Sequence, residues 1–67
     1  MNIFDYLESV GVRVMNPLVL YNLQRLDTNA VKITSLMKAR QRAESTENKN
    51  TLDLTIAIFQ RYQRAIS

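Results

Sequence analysis

The chain has 67 residues, with nine Lys or Arg against six Asp or Glu, and it contains neither cysteine nor histidine. Those absences exclude disulfides, thiolate or imidazole metal ligands, and any nucleophile that relies on a cysteine or a histidine base. The net charge of +3 favours anionic partners but falls short of the charge density of dedicated nucleic-acid binders.

The first expected helix covers residues 3–10. Asn2 can act as its N-cap, Asp5 and Glu8 suit the positive end of the helix dipole, and Gly11 is a natural stop. Ile3, Phe4, Leu7 and Val10 recur at helical spacing and make one apolar face. Val12-Arg13-Val14 then reads as a short extended connection.

Asn16-Pro17 opens the second element, an N-cap followed by proline at the first helical position. From there Val19, Leu23, Leu26, Ala30, Ile33 and Met37 alternate between spacings of four and three, a heptad seam that Leu20 and Leu36 widen. Asp27-Thr28-Asn29 hydrogen-bond readily to local backbone and prefer caps to helix interiors. A kink near Thr28 is therefore the alternative, but the unbroken phase of the seam favours one helix over 17–44. Asn16-Pro17 with Leu20, Leu23-Gln24 and Leu26 resembles the turn and helix start of type III secretion needle and inner-rod subunits, which are helical hairpins. The resemblance is confined to residues 16–26. The helix before it is shorter here, a second polar loop follows where that family runs on to its C-terminus, and no family assignment is built on it.

Ser45-Thr46-Glu47-Asn48-Lys49-Asn50 is polar and rich in turn formers, so a loop is expected. The last element spans 51–66. Leu52, Leu54, Ile56 and Ile58 alternate in the manner of a strand, and Val10, Val12 and Val14 do the same. An isolated two-stranded ribbon is marginally stable at best. Leu52, Ile56, Phe59 and Ile66 fall on one side of a helix, so helix is favoured, with Phe4 and Phe59 in the core.

The expected architecture is all-α and a single domain over 1–67: a short N-terminal helix and an antiparallel hairpin with a long middle helix. At about 1.5 Å per residue, the middle helix would span roughly 40 Å and the third roughly 24 Å. The seam would then project beyond its cover. A chain this short buries only about 60% of its unfolded surface. With disulfides and metals removed, oligomerisation is the expected supplement. No apolar run approaches the length of a membrane span. Met1-Asn2-Ile3-Phe4-Asp5 shows no basic stretch ahead of an apolar run, so no secretory leader is expected and the expected location is cytoplasmic.

Catalytic apparatus is not visible. The six carboxylates form no acid–base motif, the serines have no histidine to activate them, and no glycine-rich phosphate loop occurs. Val19, Leu23, Leu26, Ile33 and Met37 are the expected interface, with Tyr21 and Tyr62 setting specificity. Lys38, Arg40 and Arg42, with Lys32 upstream, form one basic cluster; Arg61 and Arg64 bracket Tyr62 in a second. These could hold phosphates with a stacking aromatic. Last-turn cations also complement the helix dipole, and an antiparallel hairpin would put the two clusters at opposite ends. Residues 26–43 lack a glycine for a helix-turn-helix. A membrane-surface role for the last helix, through Phe59, Ile66, Arg61 and Arg64, is weakened by Asp53 and the modest charge.

The sequence thus describes a non-enzymatic interaction or assembly protein, an adaptor or structural subunit, without cofactor or metal. Its expected partners are itself, as a homodimer, and/or another protein. The alternative is a nucleic-acid-binding accessory protein whose basic surface is assembled by dimerisation.

Overall fold

Local backbone chemistry gives four helices rather than three among the described residues. The computed structural model describes residues 2–67 and is all-helical, with no strand among the described residues. The helices are α1 (Ile3–Ser9), α2 (Pro17–Asp27), α3 (Ile33–Arg42) and α4 (Thr46–Ile66).

At the start of α1 the Asp5 N–H donates to Asn2 Oδ1 at 2.9 Å. The Ile3 N–H donates to Asp27 Oδ1 at 3.2 Å, so a side chain from the end of α2 satisfies an orphan donor of α1. Gly11, at φ +72°, then ends α1. The Val12 N–H reaches back to the Leu7 carbonyl at 3.0 Å and the Gly11 N–H to the Glu8 carbonyl at 3.2 Å, the paired contacts of a Schellman end. Asn16 restarts the chain as a helix by accepting from the N–H groups of Leu18 (2.9 Å) and Val19 (3.4 Å).

The single helix expected over 17–44 is two helices. The Thr28 hydroxyl donates to the Gln24 carbonyl at 3.0 Å, and Asn29 adopts φ +62°. The Ala30 N–H bonds to the Arg25 carbonyl at 2.8 Å and the Asn29 N–H to the Leu26 carbonyl at 3.2 Å. This is the same ending as that of α1, with asparagine where α1 has glycine. Asparagine is among the few L-residues that visit the left-handed region readily, so the chain leaves the helix with its last carbonyls satisfied. Phase alone does not hold a helix together across such an exit. Lys32 then precedes α3 as an N-cap without a side-chain cap bond.

The polar stretch expected as a loop over 45–50 is helix from Thr46 onward. The Ser45 hydroxyl oxygen accepts from the Asn48 N–H at 3.1 Å, so its turn-forming residues cap and open α4. Only residues 43–45 separate α3 from α4. Residues 51–58, with their alternating pattern, are helical. At about 1.5 Å per residue, the 21 residues of α4 nearly match the longest dimension of the molecule, 34 Å.

α4 is the shared partner: α1, α2 and α3 all pack against it. Ile3, Leu7, Val19, Leu23 and Tyr62 form the core, with Tyr6, Val14, Ile58 and Phe59 packed around them. Leu26 and Leu36 are also buried. The most buried residues of α4 are Thr51, Thr55 and Tyr62, while Leu52, Ile56 and Phe59 are partly buried and Phe59 packs against the core as expected. Ile66 and Phe4, the latter expected in the core, are exposed. Small threonines allow close approach of neighbouring helices, and the Thr55 hydroxyl donates to the Thr51 carbonyl at 2.8 Å. Its complete burial therefore orphans no donor. The Tyr62 ring tilts against Tyr6 at 5.7 Å and Phe59 at 6.1 Å between centroids. The radius of gyration, 11.5 Å, is close to the roughly 11 Å of a compact chain this long. Among the described residues no helix is long and apolar enough to cross a membrane.

Candidate functional site

The break at Thr28–Lys32 redistributes the residues on which an interface was expected. Val19, Leu23, Leu26 and Tyr62 lie inside the chain's own core, and Ile33 is half-buried. Only Met37, at 38%, and Tyr21, at 57%, are exposed among the seven. The Arg25 guanidinium lies 5.3 Å from the Tyr21 ring centre, a cation–π contact that steadies the ring in solvent. Apolar surface is nonetheless abundant outside, contributed by residues such as Met15, Leu18, Val10, Val12 and Leu54.

The five expected basic contacts separate into four groups. Arg40 is committed to Asp53, with Nε to Oδ1 at 2.8 Å and Nη2 to Oδ2 at 3.3 Å. That two-point hydrogen bond holds the Asp53 carboxyl below its ordinary range and raises Arg40, with the opposite charge reinforcing both. Arg61 lines a 360 Å³ recess with Tyr6, Leu7, Val10, Val12 and Ile58. Arg64 lines a shallow depression towards the C-terminal end of α4 with Gln60 and Gln63. Lys38 and Arg42 stay together, four residues apart on α3, and line one cleft.

That cleft is a concavity of about 660 Å³ between α2, α3 and the N-terminal half of α4. Each helix gives it one face. α2 contributes Leu18 and Asn22; α3 contributes Ser35, Lys38, Ala39 and Arg42; α4 contributes Asn48, Thr51 and Leu52. Its apolar lining is Leu18, Ala39, Ala43 and Leu52, with Lys38 and Arg42 as the charged lining. No carboxylate and no aromatic ring lines it. It can hold a molecule by apolar contact and positive charge, within the size range of ordinary binding clefts.

Leu18, Asn22 and Leu52 were not among the expected site residues. The α3 face that carries the cleft, residues 35, 38, 39 and 42, has helical spacing in the sequence, but its meeting with α2 depends on the turn at Asn29. Among the described residues no three of His, Cys, Asp and Glu gather where they could hold a metal ion. No family model, curated protein or solved structure matches the chain.

Proposed function

We propose that this chain is a non-enzymatic interaction protein, an adaptor or assembly subunit, that docks another macromolecule in the cleft between α2, α3 and α4. The observation that carries this reading is the lining of the cleft: Leu18 and Leu52 beside Lys38 and Arg42, with no acid–base pair among them. Such a surface supports recognition of a partner by apolar contact and positive charge. The exposed ion pair of Arg40 and Asp53 does not change that, because its shifts keep both members charged.

The homodimer expected from the heptad seam has less support, since Val19, Leu23 and Leu26 are spent on the internal core. The nucleic-acid alternative also weakens, because Arg40 is paired and Arg61 and Arg64 line other recesses. Filling the cleft tests the reading. Ala39→Trp should close it without touching the core, and Arg64→Ala serves as the control outside it. In capture from native host extract, wild type and Arg64→Ala should retain the same partner and Ala39→Trp should lose it. Equal retention by all three folded proteins removes the cleft from the function.

A further inference from the structure

Lys38 and Arg42 present two positive charges one helical turn apart. The only ion pair among the described residues is Arg40–Asp53, so neither cation has an anionic partner. Like charges at this spacing on a helix repel, and a bound anion relieves the repulsion. Asn48, in the first turn of α4, lines the same cleft, which places the positive end of a long helix dipole beside the two cations. Glu47, the acidic residue of that turn, does not line the cleft.

Resting on the docking reading above, we infer that the cleft receives an acidic amphipathic helix from another protein, with carboxylates four residues apart. Side chains one turn apart on a helix are separated by about 6 Å, so carboxylates at i and i+4 match Lys38 and Arg42 pair for pair. The part of α3 that lines the cleft, Ser35 to Arg42, is about 10 Å long at 1.5 Å per residue, enough for about two turns of a partner. Ala39 and Ala43 let a partner helix approach closely. Leu18 and Leu52 then meet the apolar stripe beside its carboxylates, the usual helix-in-groove arrangement.

Charge complementarity separates this occupant from the others. A second copy packed across a two-fold axis would present the same patch twice, bringing two lysines and two arginines together. Duplex nucleic acid needs several cations along a track, and only two line this cleft. Single strands need aromatic platforms for their bases, and no aromatic ring lines the cleft.

The test is selection from a displayed library of helical peptides about 16 residues long, roughly 24 Å at 1.5 Å per residue, against the full chain. Enriched peptides should carry Glu or Asp at i and i+4 beside an apolar stripe. Their affinity should fall at least tenfold on Lys38→Gln/Arg42→Gln and on Ala39→Trp, each checked for native helicity, and should fall with added salt. Lys38→Glu/Arg42→Glu should reverse the preference to peptides bearing Lys. Peptides that need an open cleft but show no acidic bias overturn this inference and leave the docking reading standing. A library whose binders ignore Ala39→Trp, or that yields none, overturns both. Tighter binding of DNA or RNA oligonucleotides through Lys38 and Arg42 than of any selected peptide also overturns the inference.

Discussion

Leu23→Ala separates a core residue from an interface residue by measurement. Leu23 is completely buried within one chain, in a cluster with Ile3, Leu7, Val19 and Tyr62. Removing a buried leucine side chain costs about 2–5 kcal/mol, set by how far the site collapses. One wall here is α1, only seven residues long and able to settle inward, so about 3 kcal/mol is expected. A chain of this length has a total stability of about 3–10 kcal/mol at 0.05–0.15 kcal/mol per residue. The substitution therefore removes about 30% of it or more. In urea, with a slope near 1 kcal/mol per molar, the midpoint should fall by about 3 M. Far-UV circular dichroism through a urea titration reads this directly, repeated over a wide range of protein concentration. If Leu23 acted at an interface between copies, the wild-type midpoint would rise with concentration and the loss would shrink on dilution. A concentration-dependent midpoint, or a loss below about 1 kcal/mol, refutes the assignment. Met37→Ala, at an exposed position of the same expected seam, should stay within about 0.5 kcal/mol.

The helix exit at Asn29 should distinguish backbone strain from side-chain contact: Asn29→Gly should leave stability unchanged or slightly raised, and Asn29→Ala should lower it by about 1–2 kcal/mol, read by the same titration. Equal effects would mean that φ is not what the asparagine supplies. Asn16→Ala and Ser45→Ala each remove an N-cap oxygen and should cost about 1 kcal/mol; a cost for Ser45→Ala near zero would contradict the start of α4 at Thr46. The pair Arg40–Asp53 should make stability depend on pH in one direction. Asp53 titrates below its ordinary value in the folded chain, so the folded state binds its proton more weakly than the unfolded one. Its contribution is complete above the ordinary value of 3.8 and is lost as pH falls through the lower folded value. Thermal scans down the acid range should show a shallower fall for Asp53→Asn than for wild type. The difference should be small and should vanish in high salt, since both side chains are exposed.

The legible parts of this fold were those where one residue type has one dominant backbone use. Asn16-Pro17 and Gly11 marked a helix start and a helix end, and both stand where the sequence places them. Asn29 performs the same operation as Gly11, but asparagine also sits in turns, caps and helices, so its left-handed conformation had no comparable signature. The intact phase from Leu26 to Ile33 then argued for continuity. Ser45 to Asn50 misled in the opposite direction, because a cap and a loop draw on the same residues. Of the candidate site, the adjacency of Lys38 and Arg42 was visible as an i, i+4 pair. Loss of Arg40 to Asp53 was not, since it is a contact across 13 residues that exists only once α3 folds back along α4.

The inner face of α4 links the core to the cleft. A helix that three others share cannot present large side chains to all of them, and here its most buried positions are Thr51, Thr55 and Tyr62. Leucines that look like core in the sequence are displaced to the flanks, where Leu54 is exposed and Leu52 lines the cleft. Thr51 is both buried and part of the cleft lining, which it shares with Ala39 of α3 and Ala43 just beyond that helix. Three small residues line the open volume there, with two leucines and two cations beside them. The compromise that lets 67 residues close a core around one central helix is the same one that leaves a partly apolar, positively charged groove beside it. Enlarging Ala39, which is exposed, should therefore weaken the proposed docking before it weakens the fold, whereas enlarging the buried Thr51 should cost the fold as well.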